Sequence, residues 1–199
     1  MWASCVAGVL AGGASRRFGK PKALLQLADG RTFLEHVATV AAEVAAEVVI
    51  LGEPPGIPPA LASVPILPDA EANSGPLGGL CALLKYAAPR WGLLLACDLP
   101  ALHAGVLRRL LQAAEGDPSA DALAFACRDA SKSYEACCAL YHARVLGTAL
   151  DLLRSGSTGL QFLLQQVRSV ALVPSDEEAR ALFDVDTPQD LDALRHGMA

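Results

Sequence analysis

A chain of 199 residues, 53% apolar but only 5% aromatic, is sized for one well-cored domain over residues 1–199 rather than two. Its formal net charge of -5 argues against a general binder of nucleic-acid backbone. No apolar stretch approaches the ~18 residues needed to cross a bilayer, so the expectation is a soluble, cytoplasmic protein with no membrane and no nucleic-acid partner.

The first apolar run, residues 5–10, predicts a buried strand. It stops at Gly12-Gly13, passes Ser15, Arg16, Arg17 and Gly19, and delivers Lys22 at the start of the next apolar segment. Glycines let a backbone turn sharply and bring its amides close to phosphate oxygens. Two guanidinium groups and a mobile ammonium on the same loop suit a polyphosphate. The loop is not a Walker A loop, because Ala23 follows Lys22 where a Ser or Thr would hold magnesium, and the G-x-G-x-x-G spacing is also missing. The arginines come after the apolar run, the wrong order for a secretory signal.

Further along, Thr32 is placed to cap a helix whose Phe33, Val37, Val40, Ala41 and Val44 share one face. Residues 47–51 predict a strand, 52–59 a Pro/Gly-rich connection, and 64–67 a short strand ending at Pro68-Asp69. A helix over 77–88 precedes the continuous apolar run 92–97, which belongs in the middle of a sheet. A helix over 104–114, a turn at 116–119, and strands at 122–127 and 136–141 come next, the two strands antiparallel around a polar turn. Helices over 143–153 and 159–166 then lead to a strand at 170–173. Thr187-Pro188-Gln189-Asp190 opens the last helix, with Thr as cap, Pro at the first position and an acidic residue at the third. The alternation predicts an α/β fold with a mainly parallel central sheet flanked by helices.

Six cysteines (Cys5, Cys81, Cys97, Cys127, Cys137, Cys138) lie at no metal-ligand spacing and mostly inside apolar runs, so reduced thiols are expected. Adjacent Cys137 and Cys138 would point to opposite faces of a strand. In open parallel sheets ligands bind beyond the carboxyl ends of the strands. That rule selects the 12–22 loop, Asp69, Asp98 and the pair Asp184 and Asp186. Asp98 directly follows a buried run, where a carboxylate is costly unless solvated, paired or bound to metal. It can hold Mg²⁺, or it can cap the segment after Pro100. His36, His103, His142 and His196 match no motif and are assigned to surface or helix-end positions.

The loop resembles the first signature of the MobA-like molybdenum cofactor guanylyltransferases, L-A-G-G-x-S-x-R-x-G-x-x-K. Leu10, Ala11, Gly12, Gly13, Ser15, Arg17, Gly19 and Lys22 match it, with Phe18 where methionine is usual. Cys97-Asp98-Leu99-Pro100 resembles the family's C-D-x-P segment, and Asp69 with Gly75-Pro76-Leu77 resembles its P-D and G-P-L segments. The ending Asp184-Val185-Asp186-Thr187-Pro188-Gln189-Asp190-Leu191 is similar to N-x-N-T-P-x-D-L, with aspartates replacing both asparagines.

The resemblance implies a Rossmann-like nucleotidyltransferase fold and transfer of GMP from Mg·GTP to the molybdopterin cofactor, with release of pyrophosphate. It assigns nucleotide contacts to Leu10, Ala11, Gly12, Gly13, Arg16, Lys22, Asp69 and Asp98, catalysis to Arg17, Lys22 and Asp98, and Mg²⁺ to Asp98 and Asp186. Molybdoenzyme apoproteins or other cofactor-biosynthesis proteins are the implied partners. Two departures bear on specificity: no Asn occurs at 51–53, and the proline usual near Tyr134-Glu135 is absent. Cytidylyl or sugar-nucleotide transfer by the same machinery, and a non-catalytic nucleotide- or partner-binding protein, are the alternatives.

Overall fold

Valine- and leucine-rich runs with no interior charge make the first, second and fourth strands. The strands are β1 (Cys5–Leu10), β2 (Glu47–Leu51), β3 (Ile66–Leu67), β4 (Trp91–Ala96), β5 (Ala122–Ala126), β6 (Tyr134–His142) and β7 (Ser169–Leu172). A computed structural model describes residues 5–12, 21–54, 56–69, 74–127 and 133–195. The seven strands form one sheet in the order β3-β2-β1-β4-β6-β5-β7. β1, β2, β3 and β4 are mutually parallel, β6 runs antiparallel to both β4 and β5, and β7 is parallel to β5. The antiparallel pairing expected for β5 and β6 is present. It brings the start of β6 to the same edge as the carboxyl end of β4.

The helices are α1 (Phe33–Ala42), α2 (Gly75–Ala87), α3 (Ala104–Gly116), α4 (Leu146–Arg154), α5 (Leu160–Gln166), α6 (Asp176–Ala181) and α7 (Pro188–Arg195). Strand residues alternate between two apolar layers. Ala7, Val9, Leu93 and Leu95 pack with α1 and α3, while Val6, Val49 and Leu94 pack with α2, α4 and α5. Cys138 joins the first layer and Cys137 packs against the second, on opposite faces as expected, and none of the six cysteines is in a disulfide. Tyr141 is fully buried, and its hydroxyl donates to Ala136 O at 2.8 Å.

α1 starts where expected. Thr32 Oγ1 accepts from Glu35 N, and the Glu35 carboxylate accepts from Thr32 N at 2.7 Å, a reciprocal capping box. Val44 lies beyond the end of α1 but still packs in the core. The stretch 143–153 divides into a 3₁₀ turn, Ala143–Val145, and α4. α6 is not expected from the sequence; it has only six residues and is held by a Ser175–Glu178 capping box. Among the described residues no helix is long and apolar enough to cross a membrane.

Candidate active site

The parallel strands β1 and β4 lie side by side with Leu10 opposite Ala96, so the residues after both strands emerge at one edge. Asp98 stands two residues past β4. Lys22 opens a single 3₁₀ turn, Lys22–Leu24, whose preceding residue Pro21 is extended. The Lys22 ammonium donates to Asp98 Oδ2 at 2.8 Å and to Asp186 Oδ1 at 2.6 Å. Side chains of Lys22 and Asp98 are 16% and 19% exposed, whereas Asp186 is about half exposed at 51%. Burial works to lower the Lys22 pKa, but the hydrogen bonds it donates to Asp186 and then Asp98 outweigh it, and the pKa ends above its ordinary value.

Asp186 reaches this point because the segment after α6 is fastened in three ways. Val185 N donates to the backbone oxygen of Asp98 at 3.1 Å. The Val185 side chain packs in a small core with Phe33 and Leu191. Asp190 Oδ2 accepts from Asp186 N at 3.0 Å and Thr187 N at 2.7 Å, while Thr187 Oγ1 accepts from Asp190 N at 3.2 Å. The expected Thr cap of the last helix is therefore in place, and it also fixes the backbone beneath Asp186.

On the other side of β1, the ends of β1 and β2 come into backbone contact. Gly52 has φ +87°, and a Cβ there would lie 3.1 Å from Gly12 Cα. Only glycine combines that conformation with that approach. Asp69 follows β3, and its Oδ1 would be 3.6 Å from a Cβ on Gly52 and 3.5 Å from one on Gly79. Burial first, and then the neighbouring Glu53, push the Asp69 carboxyl above the ordinary carboxylate range. Asp69 thus stands apart from the Lys22–Asp98–Asp186 cluster, on the β2–β3 side of the glycine crossing.

A cavity of about 660 Å³ opens along the β1–β4–β6 edge. Gly12, Lys22 and Asp98 line one part of it, and Tyr134, Glu135 and Gln161 another. Leu10, Ala11 and Asp184 also contribute to its wall, whereas Asp69 and Asp186 do not. Cys97 lines it too; burial and then the Asp98 charge push its thiol up to about 12, so it is a protonated wall group rather than a nucleophile.

The expected residues Leu10, Ala11, Gly12, Lys22, Asp98 and Asp186 are brought together at one sheet edge. Gly13, Arg16 and Arg17 lie outside the described residues, as does His196. Of the other histidines, His36 Nε2 donates to Leu102 O at 3.0 Å, while His103 and His142 stand at helix starts. Sequence reasoning does not single out Gln161, whose Nε2 donates to Tyr134 O at 2.7 Å and whose buried Oε1 has no hydrogen-bond partner among the described residues. Its only sequence signal is a polar residue inside an apolar helical run.

An ammonium beside a cavity reached by a glycine-ended strand can offer charge to a phosphate chain, and the two carboxylates converging on it can hold a cation that does the same. Oxygen donors of this kind fit Mg²⁺, and the ammonium of Lys22 shows that both carboxylates reach a common cation. No group of three or more His, Cys, Asp or Glu side chains among the described residues could hold a metal. Water and phosphate oxygens would complete the shell, as is usual for this ion.

The chain matches the profile of the MobA-like NTP transferase domain over residues 7–177. It is 35% identical over 190 residues to a probable molybdenum cofactor guanylyltransferase of Nostoc sp., covering 94% of this chain and 88% of that one. A probable molybdenum cofactor guanylyltransferase of Deinococcus radiodurans is 35% identical over 189 residues, with 94% and 92% covered. Among solved structures, molybdopterin-guanine dinucleotide biosynthesis protein A from Archaeoglobus fulgidus matches with TM-score 0.79 and 21% identity, over 96% of this chain and 97% of that one. The 2-C-methyl-D-erythritol 4-phosphate cytidylyltransferase from Thermus thermophilus matches with TM-score 0.71 and 21% identity over 98% of each chain. These structural likenesses carry the fold, which proteins named for different nucleotides share.

Proposed function

We propose that this chain, a nucleotidyltransferase belonging to the MobA-like NTP transferase family, transfers GMP from GTP to the phosphate of the molybdopterin cofactor. The observation that carries the reading is the convergence of Lys22, Asp98 and Asp186 at the cavity edge. The names of the relatives supply the guanylyl donor and the cofactor acceptor. An oxygen of the acceptor phosphate attacks the α-phosphorus of GTP, the bond to the β-phosphate bridging oxygen breaks, and pyrophosphate leaves with the electron pair. The attacking oxygen is already anionic at neutral pH, so no strong base is required, and positioning with charge neutralisation carries the rate.

Asp98 and Asp186 would hold Mg²⁺, which when bound supplies positive charge to phosphate oxygens. Lys22 offers a point charge to the triphosphate. Arg16 and Arg17 are assigned to the same phosphates, Arg17 with a catalytic share, and Leu10, Ala11, Gly12 and Gly13 to the nucleotide through the loop backbone. Asp69 can accept from guanine N1–H and N2–H₂, a donor pair that cytosine and adenine do not present together. The acceptor would occupy the part of the cavity lined by Tyr134, Glu135 and Gln161. A molybdoenzyme apoprotein or another cofactor-biosynthesis protein would receive the product.

The aspartates at 184 and 186 and the missing Asn at 51–53 are what favour cytidylyl transfer as the second reading. Values of kcat/KM for GTP and CTP, with Mg²⁺ and molybdopterin cofactor, test both. GTP is expected to lead by about tenfold or more, because an acceptor left unpaired by the wrong base costs roughly 1–3 kcal/mol. A CTP preference keeps the mechanism and overturns the base assignment; turnover with neither overturns the function.

A further inference from the structure

We infer that Lys22 is the resident counter-cation of the metal site, its ammonium occupying the place between Asp98 and Asp186 that a bare divalent ion would need. The inference rests on the reading of those two carboxylates as the Mg²⁺-holding pair. A divalent ion approaching the nucleotide-free protein meets carboxylates already paired, at 2.8 and 2.6 Å, to a positive charge. It must either displace that charge or sit beside it. With the Lys22 and Asp98 side chains only 16% and 19% exposed, water screens that repulsion poorly.

Displacement without a new partner would leave an ammonium and its surroundings uncompensated in a half-buried site. A nucleotide changes this balance. Its phosphates give the Lys22 ammonium a new anion, and the carboxylates are freed for the cation that the phosphates carry. Each charged group then exchanges one opposite partner for another, and none is stranded. The exchange suits lysine, a compact charge on a flexible four-carbon stem with three donors, better than the rigid fork of arginine. It stands at the start of a 3₁₀ turn on the cavity wall, so rotation about its side-chain bonds can turn the ammonium from the carboxylates toward the cavity without moving the sheet. Lys22 thereby enforces an order: metal enters with nucleotide, and free metal does not load the site ahead of it.

Mn²⁺ binding to the nucleotide-free protein, followed by loss of the free-ion EPR signal, tests this without turnover, acceptor or GTP. Lys22→Met should bind Mn²⁺ at least about tenfold more tightly than wild type, since one unit of repelling charge is gone. The double variant Lys22→Met/Asp98→Asn should lose that gain, which locates the ion. Lys22→Gln, which keeps polarity without charge, should behave like Lys22→Met and serves if the methionine variant does not fold. Equal affinity in wild type and a folded Lys22 variant overturns the inference, as does a gain that survives Asp98→Asn. A protein that fails to transfer GMP could still pass this test, and an active transferase could fail it, so the two readings stand or fall separately.

Discussion

Asp98 has its carboxylate bound to Lys22 and its backbone oxygen bound to Val185, so one residue both anchors the Lys22 ammonium and docks the distal segment. Asp98→Asn keeps the backbone bond and an oxygen that can still accept from Lys22. Turnover should fall at least about a hundredfold for loss of the carboxylate that would hold the charge-neutralising ion, while circular dichroism and melting stay close to wild type. Near wild-type rates at saturating Mg²⁺ would remove Asp98 from the metal site. Asp69 presents the opposite case. Its pKa is raised, by burial first and Glu53 second, so folding favours its protonated form. The stabilisation this brings is complete below the ordinary carboxylate pKa and is lost as pH rises through the raised folded value. At pH 7 the ionised carboxylate is a burden on the fold. Asp69→Asn is therefore expected to melt above wild type at pH 7, with the gap closing as pH falls below about 4, and to discriminate less between GTP and CTP. Melting curves at the two pH values check the sign.

At the scale of elements, the ends of β1 and β2 are held at a spacing and backbone conformation that require glycine at position 52. Gly52→Ala must place a Cβ 3.1 Å from Gly12 Cα and 3.2 Å from Gly12 N while keeping φ at +87°. Neither contact is a flexible side chain that could swing aside. The substitution should cost about 1–3 kcal/mol, read as a lower urea midpoint at unchanged slope, and should weaken nucleotide binding by displacing Gly12. Elements of this kind are legible in the sequence in proportion to their apolar signal. β1, β2 and β4 read as uninterrupted apolar runs because they are covered on both faces, and α1 announces itself through Thr32 and Glu35. α6 does not, because six residues with three consecutive acids show no apolar stripe behind the Ser175-x-x-Glu178 pattern that caps it. β3 shrinks to Ile66–Leu67 because it is an edge strand paired only to Ile50 and Leu51.

Over the whole molecule, the strand-end rule picks out Asp69 after β3 and Asp98 after β4. Asp184 and Asp186, expected at a strand end, follow α6 instead, and the rule cannot say which carboxylates meet. Asp69, Asp98 and Asp186 are equivalent as sequence, yet two of them share Lys22 and the third lies beyond the glycine crossing, because the strand order 3-2-1-4 separates β3 from β4 by two strands. Gln161 escapes notice since its partner, Tyr134 O, lies on a strand 27 residues earlier. The Val185, Phe33 and Leu191 core is separate from the two layers that flank the sheet. Deleting residues 183–199 should accordingly leave the sheet folded by circular dichroism while lowering Mg²⁺-dependent transfer by at least about tenfold; full activity of the truncated chain would dismiss Asp186 from the site. The Lys22–Asp186 contact joins residues 164 positions apart. A ribosome therefore releases Lys22 and Asp98 well before their common partner exists, and the growing chain can collapse its sheet first. A polypeptide ended early by a premature stop would carry the strands and Asp98 without Asp186, so the Lys22 ammonium would keep one of these two carboxylates and never meet the other.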